Sequence, residues 1–123
     1  MTELTGWSLP IGKLPPALLA RLLDHAPRLD PRVIVTAGPG LDCAVLSPGA
    51  PEACLVIKSD PITFATDQPG WYLVHVNAND IVTTGATPRW FLSTILLPMS
   101  TDSEVLDKIF ADIQAACKEL GVT

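Results

Sequence analysis

Tyr72-Leu-Val-His-Val-Asn-Ala-Asn-Asp-Ile-Val-Thr-Thr84, followed by Gly85-Ala-Thr-Pro88-Arg and Trp90-Phe-Leu-Ser-Thr-Ile-Leu-Leu97, is the stretch on which the fold turns. In its first part Leu73, Val74, Val76, Ala78, Ile81 and Val82 mostly follow helical spacing. That predicts a helix from Tyr72 to Thr84, although Val and Ile also suit a strand. Gly85 ends it. Between Pro88 and Pro98, the run Trp90 to Leu97 is almost continuously apolar, the pattern of a strand covered on both faces. A helix feeding such a strand points to an α/β domain.

Downstream, Ser100-Thr-Asp102-Ser-Glu104 supplies capping residues. Val105, Leu106, Ile109, Phe110, Ile113, Ala116, Cys117 and Leu120 then mark one helical face, and Gly121 stands at the exit. Upstream of Tyr72 lies a polar loop from Thr66 to Gly70. Before it, Cys43–Leu46 and Ala53–Lys58 are apolar segments on either side of Ser47-Pro-Gly-Ala-Pro51, which reads as a hairpin. Val33–Val35 is a short strand running into the turn Thr36-Ala-Gly-Pro-Gly40. Pro16 to His25 carries Leu18, Leu19, Leu22 and Leu23 on one helical face, with Pro16 placed to open it. Residues 1–15, with Gly6, Pro10, Gly12 and Pro15, read as a flexible arm. The sum is one domain over residues 1–123, a sheet with flanking helices, without internal repeats.

Composition narrows the function. Hydrophobic residues make up 48% and charged residues 17% of the 123, too apolar for disorder. Part of that surplus is expected to be buried against a partner. Net charge is −5, with no cluster of Lys or Arg, which argues against nucleic acid as a partner. Apolar runs fall well short of a bilayer's span and no signal pattern opens the chain, so neither membrane insertion nor export is expected and the cytoplasm is. Cys43, Cys54 and Cys117 lack paired spacing and read as buried free thiols.

Three carboxylates invite chemistry: Asp42 after Gly40, Asp60 after Ile57-Lys-Ser59, and Asp80 after Asn79. A carboxylate at the end of an apolar segment is costly unless it meets a cleft, a partner or a cation. Mg²⁺ prefers one or two carboxylates plus phosphate oxygens, so three aspartates around a nucleotide make a coherent site. Taken locally, Asp42 and Asp60 are equally good turn caps, and Asp80 a solvated helix residue. Gly38-Pro39-Gly40 is neither a P-loop nor a dinucleotide fingerprint. His25 and His75 sit in no recognisable triad. Trp71 and Tyr72 suit packing better than a ligand lid.

Together, Gly40-Leu-Asp42-Cys-Ala-Val-Leu46, Ile57-Lys-Ser-Asp60-Pro-Ile62 and Asn79-Asp80-Ile-Val-Thr-Thr-Gly85-Ala-Thr-Pro88-Arg89 resemble, in order, the N-terminal domain of the aminoimidazole-ribonucleotide (AIR) synthetase superfamily. The likeness spans about residues 10–123, and Gly70 with Pro88-Arg89-Trp90 is most similar to the hydrogenase-maturation (HypE-like) branch. The resemblance implies an α/β domain with a mixed sheet and flanking helices, a homodimer closing a β-barrel, and ATP with Mg²⁺ near the interface. It assigns Asp42, Asp60 and Asp80 to metal, Asp42, Asp60 and Asn79 to the nucleotide, and Lys13, beside Gly12, to an arm over it. No catalytic base is implied. Leu41 stands where many relatives carry a second aspartate. The family's C-terminal domain is expected to be absent from this chain or supplied by a separate one. The expectation is an ATP- and Mg-binding, dimerising half-enzyme, inactive alone. The alternative is a dimerisation or nucleotide-sensing module without catalysis.

Overall fold

The computed structural model describes residues 11–27, 29–63 and 67–123. Most of the expected arm, residues 1–10, and Thr66 of the polar loop lie outside them.

Helix α1, Pro16–Leu23, starts on a proline whose missing N–H costs nothing at N1. It buries no residue. Strands β1 (Val33–Val35), β2 (Ala44–Leu46) and β3 (Leu55–Ile57) form a three-stranded sheet in the order β1-β2-β3. Both pairings are antiparallel, with Ala44, Val45 and Leu46 opposite Ile57, Val56 and Leu55. The β2–β3 hairpin turns through Gly49 at φ +89°, the left-handed region that a side chain disfavours. The turn before β2 closes where Leu41 N–H donates to the Gly38 carbonyl at 3.1 Å. The three strands formed among the described residues thus make an antiparallel sheet where a mixed one was expected, because they are joined by short loops rather than crossovers.

Helix α2 runs Pro69–Thr83 and α3 runs Ser103–Leu120. At the start of α3 the Asp102 carboxylate accepts from Glu104 N–H at 3.1 Å, and Gly121 closes the helix at φ +66°. The two helices pack on each other, and their interface holds the buried core: Gly70, Val74 and Ala78 of α2, spaced four apart, with Ala116 of α3.

Two readings need correction. Helix α2 begins at Pro69 and passes through Gly70, which the sequence placed in the loop. A Cβ at position 70 would lie 2.9 Å from Asp112 Cβ and 3.0 Å from Ile113 Cγ1, so glycine is there for close helix approach rather than for a turn. The other correction concerns Trp90–Leu97, where no strand forms. Its pairing is confined to two bonds, Phe91 N–H to the Thr123 carbonyl at 2.8 Å and Thr123 N–H to the Arg89 carbonyl at 3.0 Å. Both bonds to one residue flanked by i−1 and i+1 are the start of a parallel ladder, with α3 as the crossover helix. Beyond Phe91 the segment has no neighbouring strand among the described residues, and Leu92 and Leu96 are each 90% exposed.

The chain exposes 9950 Å², against roughly 6,400 Å² expected of a compact monomer of this mass. Large apolar side chains contribute to it, with Ile34, Ile57, Trp90, Leu92, Leu96 and Phe110 all facing outward.

Candidate functional site

Strand β3 alternates, with Val56 more sheltered than Leu55 and Ile57. Two residues on, Lys58 continues the Val56 face, and its side chain is only 4% exposed. There its ammonium meets two carboxylates, Asp60 Oδ2 at 3.4 Å and Asp80 Oδ2 in direct contact. Asp80 comes from the last turns of α2 and is half-buried.

Further polar contacts draw α2 to the end of the sheet. Asn77 donates through Nδ2 to the Asp60 carbonyl at 3.2 Å and to the Leu73 carbonyl at 2.9 Å. Cys43, just before β2, donates its thiol to the Asp80 carbonyl at 3.6 Å. Helix α2 therefore has two working sides: Gly70, Val74 and Ala78 toward α3, and Asn77 and Asp80 toward the sheet.

Beside this network lies a cavity of about 320 Å³, lined by Asp42, Cys43, Ala44, Ile57, Lys58 and Ser59 among others. Its size is at the lower end of small-molecule sites. The aspartates named from the sequence thus gather in one region: Asp42 on the cavity, Asp60 and Asp80 bridged by Lys58. Asn79 is exposed and, two residues from Asn77, points about 200° away around the helix. Lys13 is exposed, next to Gly12 at φ +105°.

As arranged, these residues do not fit a metal held by protein ligands alone. Among the described residues no three His, Cys, Asp or Glu side chains converge as a metal site would need. The position between Asp60 and Asp80 that a cation would take is filled by the Lys58 ammonium.

Sequence reasoning missed Lys58, Asn77 and Cys43. Lys58 had a signal, since a lysine in phase with the sheltered face of a strand must find counter-charges. Asn77 and Cys43 had none that local pattern could supply. The three thiols are free, as expected, but Cys54 is exposed rather than buried. Cys117, part-buried on α3, has its pKa raised by burial. Trp71 and His75 stack with centroids 3.7 Å apart, and His75 Nδ1 lies 3.0 Å from the Trp71 carbonyl, so this aromatic pair is used in packing along α2.

Away from the site, Arg32 grips Asp30 just before β1, Nη2 to Oδ2 at 2.6 Å and backbone N–H to Oδ1 at 2.9 Å. The guanidinium's hydrogen bonds lower the Asp30 pKa from 3.8 to about 2. The contribution of this clamp is present above the ordinary carboxylate pKa and is lost as pH falls through about 2. A carboxyl-detected NMR titration should place Asp30 near 2, and Arg32→Ala should raise it toward 3.8 without reaching it, since the backbone N–H bond to Oδ1 stays; an unchanged midpoint rules the side-chain clamp out. Both side chains are exposed, so the effect on global stability should be slight.

Among the described residues no helix is long and apolar enough to cross a membrane. Residues 40–123 match the family described as AIR synthase related protein, N-terminal domain. A curated relative, thiamine-monophosphate kinase of Aquifex aeolicus (strain VF5), is 23% identical over 56 residues, 46% of this chain and 18% of the relative. The chain therefore aligns with under a fifth of that protein's length. No solved structure matches.

Proposed function

Since this chain belongs to the AIR synthase related family through its N-terminal domain, we propose that it is the ATP-binding, dimerising domain of an ATP-dependent enzyme. The observation that carries the proposal is the cavity lined by Asp42 and Lys58, next to Asp60 and Asp80, which the Lys58 ammonium bridges. Ammonium groups are recurrent phosphate ligands, and apolar walls suit a nucleoside. A relative named as a kinase supports a phosphoryl donor as ligand. Reactions of that class depend on positioning and charge neutralisation, and need no covalent nucleophile from this domain.

Dimerisation is supported by the outward Trp90, Leu92 and Leu96 and by a backbone beyond Phe91 that pairs with no strand among the described residues. A second copy adding its own edge there would begin the barrel expected for the family. The HypE-like assignment now rests on Pro88-Arg89-Trp90, since Gly70 belongs to the helix pair. The second reading, a dimerisation module without catalysis, is favoured by Leu41 at the cavity's turn and by a carboxylate pair whose charge lysine already halves.

Calorimetric titration of ATP with and without Mg²⁺, beside a mass measurement in solution, separates the two. Saturable, magnesium-dependent binding by a dimer is expected. A dimer with no heat of nucleotide binding would leave the module reading.

A further inference from the structure

We propose that Lys58 is the resident cation of the Asp60–Asp80 pair and keeps free divalent metal out of it. Two carboxylates from different elements, the loop after β3 and the end of α2, converge on one ammonium that is almost wholly withdrawn from water. Such a group has a high desolvation cost and stays only because both partners repay it. With the ammonium in place, the group carries one net negative charge instead of two. Its nearest oxygens are already used, and a hard cation that needs several oxygen ligands finds no third carboxylate among the described residues. Asn77 on the Asp60 carbonyl and Cys43 on the Asp80 carbonyl hold the two backbones at this spacing whichever cation is present. Lys58 is thus a positioning residue that also sets the site's selectivity between cations. This inference does not depend on nucleotide binding.

The test is titration of Mn²⁺ alone, read by loss of the free-ion EPR signal, against the intact chain and Lys58→Met, with folding checked by circular dichroism. The intact chain should bind Mn²⁺ weakly and without saturation. Lys58→Met should bind at least about tenfold tighter, because the unscreened pair attracts a divalent ion. Asp80→Asn added to Lys58→Met should reverse the gain, and Lys58→Arg should keep the weak binding of the parent. Tight Mn²⁺ binding by the intact chain overturns the proposal even if Lys58→Met does not fold, and so does a folded Lys58→Met that binds no better than the parent. Because no nucleotide is present, these outcomes are separate from success or failure of the ATP titration.

Discussion

Gly70→Ala is expected to destabilise the chain by about 3 kcal/mol, lowering its melting temperature by roughly 10 °C. On an exposed helix the same change would stabilise by up to about 1 kcal/mol, since alanine is the better helix former. Here the sign reverses. The added methyl would be driven into the Ile109 carbonyl and lie within 3.0 Å of Asp112 Cβ and Ile113 Cγ1. A backbone carbonyl cannot rotate away, so α2 and α3 would have to separate. Their contact contains Val74, Ala78 and Ala116, the buried apolar core of the described residues. Thermal melting followed by circular dichroism checks the value, and a melting temperature at or above the parent's would show that the helices do not meet this closely.

The double change Leu92→Lys, Leu96→Lys should convert the proposed dimer to monomer at concentrations where the parent is fully paired. Each leucine is 90% exposed in the single chain. Burying a leucine contributes about 2 kcal/mol, and the double change removes two from each protomer, so the loss is about 8 kcal/mol for the dimer, or roughly a millionfold in Kd. Charged side chains also disfavour strand addition along an open edge. Neither leucine supports the α2–α3 core, so helical content should be unchanged. Sedimentation velocity would decide. A parent that is monomeric throughout, or a double variant that still dimerises, would place the interface elsewhere.

Legibility followed the range of the interactions. α3 could be read from end to end because Asp102, Glu104 and Gly121 act within a turn of the residues they cap. The β2–β3 hairpin could be read because Gly49 and its neighbouring prolines leave the chain little else to do. The entry to α2 was misplaced because Gly70 answers to Ile109 and Asp112, some forty residues away in sequence. Trp90–Leu97 has every local property of a strand, yet a strand exists only where a neighbour supplies its hydrogen bonds, and Thr123 supplies two.

The same division holds for the site. Local pattern and family motif together determined that this is an α/β chain, with its helices and hairpin in order, and that Asp42, Asp60 and Asp80 are the acidic residues to watch. These follow from periodicity, turn chemistry and the cost of ending an apolar segment on a carboxylate, all written within a few residues. Only the tertiary structure decided that Asn77 rather than Asn79 ties the helix to the sheet. Only it decided that the charge between Asp60 and Asp80 belongs to Lys58. The reason is that Coulomb and hydrogen-bond energies depend on distance in space, and the distance between residues 58 and 80 is set by the docking of α2 on the sheet's end.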